Sequence, residues 1–190
     1  MTRTIVHQAR SERGVSMIDT MVTLAVLGIV ASMATMQVTT VRRGLVGDGA
    51  MRLVMAQLTT ARELAITQRR NMEVQFVGNN WVQIIRNDVP SGTTVVGNVA
   101  MEGNVRYSLV TGVPDTPDGF GNSTAIAFGS ATKIMFGPNG ALVDNNGAPI
   151  NGTVFLSFNG MSESCRAVTV MGSIGRVRGY RWNGRAWIRV

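Results

Sequence analysis

Histidine is all but missing from this chain of 190 residues: His7 is the only one. Cysteine is as scarce, with Cys165 alone. No internal disulfide can form, so the fold does not depend on a bridge, although an oxidising compartment is not excluded. Lysine is nearly absent as well. Of 18 Lys and Arg residues only Lys133 is lysine, which leaves 17 arginines. Arginine offers a planar fork suited to bidentate and stacked contacts; genome base composition can produce the same skew. No Gly-x-x-x-x-Gly-Lys-Ser/Thr phosphate loop occurs. Asp115 and Asp118 form a carboxylate pair, but among prolines and glycines their expected job is turn capping. Asp144-Asn145-Asn146-Gly147 lacks the spacing of an EF-hand calcium loop. These absences leave no catalytic residue, metal site, cofactor or small-molecule substrate to expect, and the chain does not read as an enzyme.

Apolar residues make up 45 %, enough for one ordinary core with attachments. Glycine, at 22, points to many turns and short strands. A run of 24 residues, Val15 to Val38, holds a single charge, Asp19. As a helix it measures about 36 Å at about 1.5 Å per residue, against a hydrocarbon core of about 30 Å. Arg3, Arg10 and Arg13 precede it, which places the amino end in the cytoplasm. A secretory signal cut near Ser32-Met33-Ala34 is one reading, and a plain membrane anchor is another. Neither accounts for Asp19, because an acid in lipid is costly and marks a partner.

A third reading does. Gly14-Val15-Ser16-Met17-Ile18-Asp19 resembles the processing site of type IV pilins and pseudopilins. That pattern is a glycine, a first mature residue that is often Phe, a small or hydroxyl residue, two aliphatics and a glutamate. Val15 stands here for Phe, and Asp19 for glutamate. The resemblance implies cleavage by prepilin peptidase between Gly14 and Val15, methylation of Val15, and retention of the apolar helix. It also implies that Asp19 pairs with the amino terminus of a neighbouring subunit, the kind of partner a buried charge requires. The mature chain would then contain no histidine, which removes Ser-His-Asp, Cys-His and ordinary zinc chemistry.

Val46, Ala50, Leu53, Val54, Leu58, Ala61, Leu64 and Ala65 recur at intervals of three and four, which predicts an amphipathic helix over about 42–70. Gly44, Gly47 and Gly49 near its start mark either a soft joint or a frayed end. Beyond Asn71 the period becomes two. Strands are predicted at 72–77 and 81–86 around Gly78-Asn79-Asn80, then at 93–101, 105–110, 124–128, 133–136, 154–158 and 167–171. Residues 111–123 and 143–150 read as loops. One long helix followed by many short strands is α+β architecture.

Phe136-Gly137-Pro138-Asn139-Gly140, the strand 154–158, Arg166-Ala167-Val168-Thr169-Val170 and Gly172-Ser173-Ile174-Gly175-Arg176-Val177-Arg178 are together similar to the carboxyl half of the GspH/FimT branch of pseudopilins. Those are minor subunits of type II secretion systems or type IV pili. The implied order is a leader at 1–14, a transmembrane helix at 15–38, an amphipathic helix at 39–71 and a periplasmic, antiparallel β-rich head at 72–190. The implied partners are other pilins or pseudopilins, prepilin peptidase and inner-membrane lipid.

The last stretch carries Arg166, Arg176, Arg178, Arg181, Arg185 and Arg189, and no acid. Asn183-Gly184 signals a two-residue hairpin turn. That register sets Trp182 against Arg185, Tyr180 against Trp187 and Arg178 against Arg189. One face would interleave Arg176, Arg178, Arg185 and Arg189 with the rings of Tyr180, Trp182 and Trp187. Arginines neutralise phosphates and rings stack on bases, so the face is a candidate nucleic-acid surface. The resemblance points to Arg176 and Arg178 in particular, because Gly-Arg-x-Arg is implicated in DNA-binding minor pilins of natural transformation. Hairpin stabilisation, a contact with an acidic subunit and a contact with lipid headgroups are the competing readings. Two functions are therefore expected to compete: an assembly subunit of a secretion or pilus filament, and a DNA-capturing minor pilin.

Overall fold

The computed structural model describes residues 16–190 except 130 and 132, without the side chains of 34–40. The expected leader, 1–14, and the expected processing residues Gly14 and Val15 lie outside the described residues. The chain divides into two compact units, Met1–Thr40 and Val41–Val190.

One helix, α1, runs over Met17–Gln68. In the first unit its large apolar side chains stand exposed, among them Met17, Ile18, Met21, Leu24, Leu27, Ile29 and Met33. The hydroxyls of this stretch bond back onto the helix: Thr20 to the Met17 carbonyl, Thr23 to that of Thr20 and Ser32 to that of Ile29. Among the described residues no helix is long and apolar enough to cross a membrane.

In the second unit α1 turns one stripe inward. Ala50, Met51, Val54, Leu58, Ala61 and Ala65 are buried, and Leu53 and Leu64 partly so. The spacing predicted this stripe, apart from Met51. Gly44 and Gly47 do not interrupt the helix. A β-carbon on Gly47 would stand 2.9 Å from the Ser164 carbonyl oxygen, so this glycine serves close packing rather than looseness.

The strands are β1 (Met72–Val77), β2 (Trp81–Asn87), β3 (Thr93–Ala100), β4 (Val105–Tyr107), β5 (Ile126–Ala127), β6 (Ile134–Phe136), β7 (Leu142–Val143), β8 (Gly152–Phe158), β9 (Arg166–Met171), β10 (Arg176–Trp182) and β11 (Trp187–Arg189). All pairs are antiparallel. They form not one sheet but two, in the orders β3-β2-β1-β6-β7 and β11-β10-β9-β8-β4, with β5 also on β8. Two predicted strands shrink, 105–110 to β4 and 124–128 to β5, and β7 forms at the edge of the predicted 143–150 loop. Both sheets send side chains into one core with α1: Met72, Val74, Ile84 and Phe136 from the first, and Val154, Leu156, Val168 and Val170 from the second.

β8 and β9 are buried along nearly their whole length. A strand buried on both faces needs cover on both. α1 covers one face. The other lies under the connection from β4 to β5, which includes residues 111–123.

Candidate functional site

The hairpin that holds the predicted basic face closes differently from the two-residue turn. Trp182 opposes Trp187, Arg181 opposes Ile188 and Tyr180 opposes Arg189. Asn183 through Ala186 form the loop. The Asn183 side-chain oxygen accepts from the backbone N–H groups of Arg185 and Ala186, at 2.8 Å each. This cap gathers two amides that a tighter turn would leave elsewhere, and it lets Trp182 and Trp187 meet edge to face at 5.4 Å. The pairing slips by an even count, so Tyr180, Trp182, Trp187 and Arg189 still share a face. Arg185 moves into the loop.

That face is not open. Tyr180 and Trp182 are buried, and Trp187 is half-buried. Across the sheet, Phe155, Ala167 and Tyr180 form one row and Thr153, Thr169 and Arg178 another. The loop lies on them. Val113 packs with Cys165 and Trp182, and Thr116 is buried. Trp187 donates through its ring N–H to the Pro114 carbonyl at 2.9 Å.

Asp118 fastens the loop. Its carboxylate accepts from Arg178 Nη1 at 2.5 Å, from the Thr169 hydroxyl at 2.6 Å and from the Tyr180 hydroxyl at 2.9 Å. Turn capping, the expected role of both acids, belongs to Asp115, which takes the Thr116 and Gly121 N–H groups. Asp118 instead closes a contact with residues more than fifty positions away. Burial alone would raise its pKa, but the Thr169 and Tyr180 hydroxyls and the Arg178 guanidinium outweigh that and hold it below the ordinary carboxylate range. Burial, then the hydrogen bond to Asp118 and its charge, push the Tyr180 phenol up, which keeps it a donor. Nothing local in the sequence marks this clasp. Its partners share a sheet face, and the sequence separation hides them.

Arg176, Arg181, Arg185 and Arg189 are exposed. Among the described residues none of them is in an ion pair. Gly175, which opens the Gly-Arg-Val-Arg stretch, has a left-handed backbone (φ 59°). A β-carbon there would come within 2.0 Å of the Gly140 carbonyl oxygen, which also accepts from Arg62 Nε of α1. The Phe136–Gly140 and Gly172–Arg178 segments thus meet at Gly175, although the sequence shows them far apart. Asp19 is exposed on the first unit. Asp144 caps its own turn, accepting from the Asn146 and Ala148 N–H groups. No group of three or more potential metal ligands occurs among the described residues.

The family model described as Type II transport protein GspH matches residues 50–173, well over half of the chain. The chain belongs to the GspH family of pilin-like proteins. The match begins inside α1 and ends before Gly175, so residues 14–19 and the basic hairpin of this GspH-family chain lie outside it. No curated protein matches. Among solved structures the chain is similar to the type IV minor pilin FimU of Pseudomonas aeruginosa in two crystal forms. One has 18 % identity, covers 68 % of this chain and 84 % of that one, and gives a TM-score of 0.47. The other has 17 % identity over 70 % and 90 %, with a TM-score of 0.47.

Proposed function

We propose that this chain is a minor pseudopilin, a non-catalytic filament subunit of a type II secretion system or a type IV pilus. Membership of the GspH family carries the reading. Prepilin peptidase cuts between Gly14 and Val15, and Val15 is methylated. Before assembly the apolar segment 15–38 holds the chain in the inner membrane as a single span, amino end in the cytoplasm and head in the periplasm. After processing, the same helix packs against those of other pilins, and Asp19 pairs with a neighbour's amino terminus. Three features support this: the exposed apolar side chains of α1, hydroxyls already bonded within it, and one acid in an otherwise uncharged run. An acid in such surroundings needs a positive partner. Gly14→Leu is expected to keep its leader; unchanged processing overturns the cleavage site. Asp19→Ala is expected to be processed but poorly incorporated into filaments, and normal incorporation overturns the pairing.

A second reading, a DNA-binding minor pilin acting in DNA uptake, is favoured by Arg176, Arg185 and Arg189, exposed and in no ion pair among the described residues, in a stretch from Arg166 onward without acids. The full chain in detergent is expected to bind single-stranded DNA at low salt and release it steeply as salt rises. The triple glutamine variant at these positions is expected to lose that binding. No binding at low salt overturns this reading.

A further inference from the structure

The loop over the second sheet carries two acids, Asp115 and Asp118, and no basic residue between positions 107 and 132. The face beneath it carries Arg178, with Arg176 and Arg189 at its margins, and the rings of Tyr180, Trp182 and Trp187. The cover is therefore charge-complementary to what it hides. It is also long and without regular structure from residue 108 to 125. Such loops in a compact domain are commonly functional.

The clasp is incomplete. Arg178 gives only Nη1 to Asp118, and its buried Nε has no hydrogen-bond partner among the described residues. In the same cross-strand row, the Thr153 hydroxyl is fully buried and likewise has no partner among the described residues. Buried polar groups are nearly always satisfied, so two orphans in one row ask for an explanation. A carboxylate has two oxygens. The phosphodiester of a nucleic acid also presents two anionic oxygens, and seated squarely on the arginine fork it can engage both edge N–H groups, Nε as well as Nη. Arg178 Nη1, the Thr169 hydroxyl and the Tyr180 hydroxyl already converge on one anion.

We propose that this row is a phosphate site for a single-stranded nucleic acid, and that the 108–125 loop fills it with the Asp118 carboxylate until a strand displaces it. The displaced loop uncovers Tyr180, Trp182 and Trp187 beside the site, where bases can stack. The rings favour a nucleic-acid strand over a lipid headgroup, which has phosphate but no bases. The inference rests on the DNA-binding reading above and adds its regulation: the exposed arginines recruit the strand, and the loop sets how much of the site is available.

The test uses the full chain in detergent, a fluorescent single-stranded oligonucleotide and Asp118→Asn. A site that is mostly closed weakens apparent affinity by the fraction that is open, so Asp118→Asn is expected to bind about tenfold more tightly. Adding Arg178→Gln is expected to abolish that gain. In the unaltered protein, the oligonucleotide is expected to speed hydrogen exchange at the Gly119 and Gly121 amides, both now bonded within the loop. If the unaltered protein binds, but Asp118→Asn binds no better and loop exchange is unchanged, the gating is overturned while the DNA reading stands. If neither protein binds, the DNA reading falls and the phosphate site with it. Tighter binding to anionic vesicles but not to the oligonucleotide overturns the strand as ligand. Should Asp118→Asn fail to fold, loop exchange in the unaltered protein decides the question.

Discussion

Arg166 donates through Nε to Asp48 at 2.5 Å, from a side chain only 2 % exposed. The rest of its fork is also engaged: Nη2 on the Gly44 carbonyl, and Nη1 on those of Glu163 and Cys165. Gly44 and Asp48 stand one turn apart on α1, so a single guanidinium pins the helix to β9.

Removing one partner of a buried pair strands the other, at a typical cost of about 3 to 5 kcal/mol. Arg166→Met is expected to lose stability near the lower figure, because Asp48 keeps some access to water. Urea unfolding measures it. Arg166→Lys is expected to recover little, since an ammonium cannot replace the planar fork.

Two glycines of α1 should respond in opposite directions to alanine. Gly49→Ala meets nothing within 4 Å and should stabilise by up to about 1 kcal/mol through helix propensity. Gly47→Ala must push aside the Ser164 carbonyl at 2.9 Å and should destabilise by about 1 to 3 kcal/mol, as overpacking does. Thermal unfolding of the two variants side by side checks the contrast.

The Asp118 carboxyl has its folded pKa below the unfolded value. Its contribution to stability is therefore present above the unfolded pKa, about 3.9, and is lost as pH falls through the folded one. Asp118→Asn should be less stable than the unaltered protein at neutral pH, and the gap should close in acid. Denaturant midpoints across that range provide the measurement.

Cys165 is buried, and burial pushes its thiol up to about 11, with Arg166 pulling weakly the other way. The thiolate is the reactive form. Thiol reagents near pH 8 should label the native protein much more slowly than the protein in denaturant. Equal rates would show that Cys165 is not shielded in the native fold.

Periodicity made the local elements legible. The helical stripe Ala50 to Ala65 and hairpin β1–β2 follow from spacing and turn residues alone. The faces of β10 also followed, although the register at Asn183 did not, because a side-chain cap outcompeted the tight turn. What lies above that face is not legible in the sequence. An arginine-aromatic strand looks the same in sequence whether water or a loop lies above it, and the loop's contribution comes from Asp118, 60 residues from Arg178. Buried Arg166 was invisible for the same reason: its partner Asp48 precedes it by 118 positions.

That last separation has a consequence for how the chain is made. α1 is synthesised first, and its apolar stripe is fully covered only when β8, β9 and β10 join the first sheet over it. A nascent chain halted before Arg166 has neither the clasp nor the strand on which α1 rests. The vulnerable interval is therefore almost the whole of translation. A stop or frameshift near the carboxyl end, which would merely trim many proteins, would here leave the core open for proteases and chaperones.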